Sequence, residues 1–158
     1  MPRTAETSSF KFNHTMLRVK DPKASIKFYT EVLGMTLVDE HPSDDFTLYF
    51  LAFDQHDNVD DAERKSTRLQ REGILELTHN HGTEDLAETP YHNGNSDPRG
   101  FGHIAITVDD VEAACDRFEK LGVQFKKRPQ DGKMRHIAFI LDPDNYWIEV
   151  LPNQPKQY

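Results

Sequence analysis

The run Gly100-Phe101-Gly102-His103-Ile104-Ala105-Ile106-Thr107-Val108 decides how the rest of the chain is read. From His103 onward apolar residues alternate with a second set, the period-2 pattern of a strand with two unlike faces. A histidine heading such a strand points into a core or into a cavity. The run has an echo in His14-Thr15-Met16-Leu17-Arg18-Val19. Each copy continues into an Asp, a helical pattern and a Leu-Gly pair, Leu33-Gly34 and Leu121-Gly122. The chain is expected to be built twice.

In the first copy the opening strand covers 11–19. A helix starts at Asp21-Pro22, an N-cap acceptor followed by proline at the first helical position. It carries Ala24, Ile26, Phe28, Tyr29 and Val32 on one side, and Gly34 closes it. Strands are expected at 35–40, 46–53 and 73–78, with a turn over 41–45. Residues 54–72 are polar, lack a helical stripe and read as a surface insertion. The charge run Asp60-Asp61-Ala62-Glu63-Arg64-Lys65 within them reads as solvated. Residues 79–99 are rich in Gly, Asn, Asp and Pro, and their length marks a functional loop.

The second copy repeats the plan. After the strand at 103–108, Asp109 and Glu112 have capping-box spacing at the head of a helix. That helix presents Val111, Ala114, Cys115 and Phe118, and Gly122 closes it. Strands are expected at 123–127, 136–141 and 146–151, joined by turns at 128–133 and 142–145. The fold class is α+β: two tandem βαβββ modules. Residues 1–10 form an arm, residues 11–151 one domain with modules 11–98 and 99–151, and residues 152–158 a tail.

Composition narrows the function. The net charge of −8, from 19 basic and 27 acidic residues, disfavours nucleic acid and anionic membrane as partners. The one cysteine, Cys115, rules out an intrachain disulfide, and a reducing compartment follows as the expectation. No apolar run approaches the ~20 residues of a membrane span. Residues 1–9 lack the apolar core of a signal peptide. A cytoplasmic location is expected.

Aligning the copies pairs His14 with His103, and Leu75-Glu76-Leu77 with Ile148-Glu149-Val150. A glutamate in mid-strand ordinarily faces solvent, and a histidine at a strand head is ordinarily a core or edge residue. Buried and unpaired, each carboxylate would cost several kcal/mol. Their repetition together favours another reading. The first and last strands of a βαβββ module can pair and bring His to Glu on one face. Two modules then supply two imidazoles and two carboxylates, an N/O donor set suited to a divalent ion such as Zn2+ or Ni2+. Such an ion is a Lewis acid for neighbouring oxygens, and a carboxylate beside it can move a proton between adjacent carbons. No rival constellation competes. Cys115 belongs to a helix stripe, the serines lack a catalytic partner, and no glycine-rich phosphate loop is present. His41, His56, His79, His81, His92 and His136 read as surface residues.

Several runs carry a resemblance over nearly the whole chain, from Phe12 to about Leu151. They are His14-Thr15-Met16-Leu17-Arg18-Val19-Lys20-Asp21-Pro22, Phe28-Tyr29-Thr30-Glu31-Val32-Leu33-Gly34-Met35, Leu75-Glu76-Leu77-Thr78-His79-Asn80, Asn93-Gly94-Asn95-Ser96-Asp97-Pro98-Arg99-Gly100-Phe101-Gly102-His103-Ile104 and Asp142-Pro143-Asp144-Asn145-Tyr146-Trp147-Ile148-Glu149. Together they resemble glyoxalase I (lactoylglutathione lyase), of the vicinal oxygen chelate superfamily. The resemblance implies that the two modules form an incomplete barrel and that the protein is a homodimer with active sites at its interface. It implies a metal held by His14 and Glu76 of one subunit and His103 and Glu149 of the other. The reaction implied is isomerisation of the methylglyoxal–glutathione hemithioacetal to S-D-lactoylglutathione through a metal-bound enediolate, a detoxification of methylglyoxal. Glu149 would be the base and Glu76 its counterpart for the other substrate enantiomer. Arg18, Asn80 and the partner's Arg99 match γ-glutamyl contacts, and Lys127, Lys133 and Met134 match positions near the glycyl end. Phe46, Leu48 and Phe50 are candidates to line the aldehyde pocket.

Two positions depart from the family pattern. His14 stands where many long zinc-type members carry glutamine, while histidine is common there in the shorter nickel-activated ones. The long 79–99 loop resembles the zinc type, so Zn2+ is the expected metal and Ni2+ the alternative. His136 stands where relatives often have glycine. The alternative class is a metal-free or inactive binding protein of the same superfamily, which would not need two glutamates beside two histidines.

Overall fold

A computed structural model describes residues 3–54 and 59–154. It divides into two compact units, Met1–Glu88 and Thr89–Tyr158. His56 lies outside the described residues.

In the first unit the elements run β1 (His14–Val19), α1 (Pro22–Lys27), β2 (Thr36–Pro42), β3 (Phe46–Ala52), α2 (Asp61–Thr67) and β4 (Ile74–Asn80). The sheet order is β1-β4-β3-β2. β1 and β4 are parallel, and the other pairs are antiparallel. In the second unit they run β5 (His103–Val108), α3 (Val111–Lys120), β6 (Phe125–Lys127), β7 (Ala138–Leu141) and β8 (Trp147–Pro152). Its order is β5-β8-β7-β6, again with only the first and last strands parallel. Both sheets are open and four-stranded, and the expected βαβββ plan is present twice. A register shift interrupts the second strand of each module at the same place, between Leu37 and Asp39 and between Phe125 and Lys127.

Strand alternation gives each sheet two faces. Leu17, Val19, Leu51, Leu75 and Leu77 are buried on one side of the first sheet, and Phe28 and Tyr29 of the helical segment are buried as well. In the second sheet Ala138, Ile140, Ile148 and Val150 are buried alike, with Val111, Cys115 and Phe118 from α3. Burial pushes the Cys115 thiol pKa up, so it is an inert core residue, as expected. The opposite face of each sheet carries the histidine and the glutamate.

Four local expectations need correction. The helix at Pro22 changes to a π-helical turn over Phe28–Val32 before Gly34, whose φ is 79°. The cap of α3 is Asp110, whose carboxylate accepts from the Ala113 N–H; Asp109 instead accepts from the Asn153 amide. Residues 61–67 form α2 although no apolar stripe marks it. Asp60 caps that helix by accepting from the Glu63 N–H; Arg64 pairs with Asp54 just past β3, and Lys65 with Asp39 of β2. A polar helix is held by such pairs where burial cannot hold it. The charge run is therefore only partly solvated. His79 is buried, its ring 2.6 Å from Glu84, rather than on the surface.

In the 79–99 loop the backbone makes a close approach at Gly94, whose φ is 82°. A Cβ at Gly94 would meet the Phe101 backbone at once, whereas Gly100 and Gly102 have open space.

Candidate active site

Parallel pairing of the first and last strands places His and Glu two residues apart in register. His14 lies opposite Ile74, with Glu76 two residues on; His103 lies opposite Trp147, with Glu149 two residues on. With a period of two, the side chains share a face. The result is the same pair built twice: His14 Nε2 is 3.1 Å from Glu76 Oε2, and His103 Nε2 is 3.2 Å from Glu149 Oε2. The glutamates are largely covered, at 12% and 18% exposure, while the histidines stay open at 39% and 41%.

An aromatic wall accompanies each pair. Phe50 lies opposite Glu76 and Phe139 opposite Glu149. Each ring meets its histidine edge-on, with centroids 6.1 and 5.3 Å apart. Sequence reading had singled out Phe50 but missed Phe139. Its one sequence cue was its place in the strand before the glutamate's strand, which the repeat alignment could have matched to Phe50.

The surroundings of the pairs differ. Glu76 also accepts a hydrogen bond from the Thr78 hydroxyl (3.3 Å), whereas the residue two places after Glu149 is Leu151. His14 Nδ1 lies 2.8 Å from Asn13 Oδ1, and the Asn13 amide nitrogen donates to the carbonyls of Arg68 (3.0 Å) and Arg71 (2.9 Å). Gly102 precedes His103 and has no side chain to offer. Beside Phe50 lies a buried ionic cluster. Asp39, 2% exposed, contacts Arg68 (2.9 Å), Lys65 (3.1 Å) and His41 (2.5 Å), and the Arg68 guanidinium sits 3.9 Å over the Phe50 ring. Burial pushes the Asp39 carboxyl pKa up, but the hydrogen bonds from His41, Lys65 and Arg68 outweigh it and hold the group below its ordinary value.

Arg18 is exposed on β1, and Asn80 is half-buried at the end of β4; the register puts both on the face of Glu76, with Phe46 and Leu48. Lys127 shares the face of Phe139 and Glu149. Its ammonium is committed to the chain itself, donating to the carbonyls of Arg128 (3.1 Å), Met134 (2.7 Å) and Ile137 (3.0 Å). Lys133 and Met134 are exposed in the loop it pins. Arg99 is exposed in the loop before β5, 3.7 Å from Asp97. Two clefts lie away from the pairs, one near Ala52, Asp54, Glu63 and Arg71, the other near Cys115, Arg128 and Pro129. Neither is lined by His14, Glu76, His103 or Glu149.

A family model described as Glyoxalase/Bleomycin resistance protein/Dioxygenase superfamily matches residues 11–150. The chain belongs to this superfamily. Among its curated relatives, the lactoylglutathione lyase of Pseudomonas putida is 55% identical over 153 residues, covering 94% of this chain and 88% of that one. The lactoylglutathione lyase of Schizosaccharomyces pombe is 54% identical over 154 residues; the match covers 96% of this chain but only 50% of that protein. Among solved structures, the trypanothione-dependent glyoxalase I of Leishmania major superposes with a TM-score of 0.67 at 34% identity, covering 91% of this chain and 87% of that one.

Each unit by itself supplies two donors, one imidazole nitrogen and one carboxylate oxygen. Among the described residues no group of three or more His, Cys, Asp or Glu side chains forms a metal cluster. The donor chemistry of each pair fits half of a divalent-ion site: borderline nitrogen with hard oxygen, side by side, and charge to offset the ion.

Proposed function

We propose that the chain is a lactoylglutathione lyase, a glyoxalase I, converting the hemithioacetal of methylglyoxal and glutathione into S-D-lactoylglutathione and so removing methylglyoxal in the cytoplasm. The observation that carries the reading is the His–Glu pair, built twice at the same register with the same aromatic neighbour. Likeness to relatives named for this activity supports it. The functional domain is taken as residues 11–151, with modules 11–98 and 99–151.

In the proposed homodimer, His14 and Glu76 of one protomer and His103 and Glu149 of its partner would hold one divalent metal, Zn2+ first and Ni2+ as the alternative. Bound there, the ion supplies Lewis-acid stabilisation for two neighbouring substrate oxygens. The chain's own residues move the proton. Glu149 accepts the proton from C1 of the hemithioacetal as that C–H bond breaks, and its electron pair forms the enediolate double bond. The same carboxyl returns the proton to C2, the C1 hydroxyl proton passes to the C2 oxygen, C1 becomes the thioester carbonyl, and no net oxidation occurs. Glu76 takes this part for the other enantiomer. The asymmetry of the two pairs supports the division. Thr78 gives Glu76 a hydrogen bond that restrains it, while Leu151 has no proton to give Glu149.

Glutathione brings two carboxylates to an acidic protein, so local cations must receive them. Arg18, Asn80 and the partner's Arg99 would hold the γ-glutamyl end; guanidinium suits a carboxylate by bidentate bonding. Lys133 and Met134 would face the glycyl end, with Lys127 fixing the shape of their loop. Phe46, Leu48 and Phe50 would receive the methyl group of the aldehyde.

The test is thioester formation followed by absorbance. Metal-stripped protein is supplied with methylglyoxal and glutathione, alone and with Zn2+ or Ni2+. Activity restored by one of these ions is expected. Inactivity with every divalent ion would sink the reading.

A further inference from the structure

The bonding around Asn13 is directional. Its amide nitrogen donates to two backbone carbonyls, Arg68 and Arg71, so both of its protons are used. That fixes the amide's orientation, and the group facing His14 Nδ1 at 2.8 Å is the carbonyl oxygen Oδ1, which can only accept. His14 Nδ1 must therefore carry a proton. Nε2 is the other ring nitrogen, and it faces Glu76 Oε2 at 3.1 Å.

We infer that Asn13 is a positioning residue for His14: it accepts from Nδ1–H and so turns Nε2 to Glu76, as the ring nitrogen left for a divalent cation. The residue acts from the segment that follows α2, because the carbonyls that orient Asn13 belong to the turn at Arg68–Gln70 and to Arg71. The insertion at 54–72 thereby gains a role at the site. A histidine that ligates a metal through one ring nitrogen needs its other N–H held by an acceptor, and losing such an acceptor typically costs 10–100-fold in metal affinity. At the matching place in the second module stands Gly102, which has no side chain to accept from His103. The metal part of the inference rests on the function proposed above; the tautomer does not.

Two variants separate this role from simple anchoring of the loop. Asn13→Ala removes both functions. Asn13→Asp keeps an acceptor for His14 Nδ1–H but cannot donate to the Arg68 and Arg71 carbonyls. Full-length metal-free protein with 15N-labelled histidine is studied by long-range proton–nitrogen NMR, which distinguishes the ring tautomers. Zn2+ affinity is then measured by chelator competition. The expected result is Nδ1–H at His14 in the native protein and in Asn13→Asp, loss of that preference in Asn13→Ala, and a 10–100-fold weaker Zn2+ affinity in Asn13→Ala alone. A proton on Nε2 and none on Nδ1 at His14 in the native metal-free protein would overturn the inference. So would equal Zn2+ affinity of the native protein and Asn13→Ala, or Asn13→Asp behaving like Asn13→Ala in both readouts. If the native protein binds no Zn2+ or Ni2+ while the tautomers fall as expected, the proposed function fails and the Asn13 assignment stands.

Discussion

The two modules share a frame and differ in what surrounds it. In both, the glutamate of the last strand lies opposite a phenylalanine, and that phenylalanine lies opposite the residue just past a register shift in the second strand. In the first module the row is Glu76, Phe50, Asp39; in the second it is Glu149, Phe139, Lys127. The end of the row has reversed its charge. Asp39 is buried under Arg68, Lys65 and His41, so α2 is clamped to the first sheet. Lys127 reaches outward and gathers the carbonyls of the 128–137 loop. One backbone solution thus carries a helix in one copy and a loop in the other. The constant part is the His–Glu–Phe arrangement, and the variable part is the support beside it. The first pair is braced by Asn13 and Thr78; the second has Gly102 and Leu151 at those places.

This asymmetry can be broken experimentally. The largest effect is expected from the glutamates themselves. Glu149→Gln should retain metal yet lose roughly 10²–10⁴-fold in turnover, the usual worth of a general base. Glu76→Gln should lose less with the preferred enantiomer. Steady-state kinetics with metal content measured in parallel decides it, and equal losses would remove the distinction between the two carboxylates.

Next comes the clamp under α2. Asp39→Asn leaves Arg68 and Lys65 without their buried counter-charge and should cost about 3 kcal/mol in unfolding free energy. The pH dependence follows from sign. The folded-state pKa of Asp39 lies below its ordinary 3.8. Its contribution is therefore complete above that value and is lost as pH falls through the lower, folded value. Acid titration of stability should show this component in the native protein and lack it in Asp39→Asn. Lys127→Met, at the matching place in the second module, should cost less, about 1–2 kcal/mol, and should speed amide exchange in the 128–137 loop without touching α2. A faster exchange spread over both modules would contradict the separation of roles. The smallest effect belongs to Thr78→Val, with a loss of about 1 kcal/mol or less from one 3.3 Å hydrogen bond. Its use is to make Glu76 resemble Glu149, and a change in enantiomer preference is the readout.

Much of this was legible in the chain itself. The repeat located both strands that start with histidine, both glutamates and the βαβββ order. Period 2 predicted that His and Glu share a face once the first and last strands pair. The errors have physical causes. Asp109 satisfied a capping spacing, yet Asp110 stands seven residues after His103 as Asp21 stands seven after His14, so the repeat was the better guide. α2 escaped because its Arg64 and Lys65 pair with carboxylates outside the helix, Asp54 and Asp39, which leaves no apolar period in its own sequence. The burial of His79 depends on Glu84 folding back on it across a left-handed Gly82.

What the sequence determined by itself was the list of chemically able groups and the strands that carry them, because duplication and alternation are written in residue order. What only the tertiary structure decided was the setting of each group: which ring nitrogen of His14 faces Glu76, which carboxylate Thr78 restrains, and that Lys127 is spent on its own loop. Those depend on hydrogen bonds between residues up to 58 positions apart. Such bonds have direction, and no local pattern of residues records a direction.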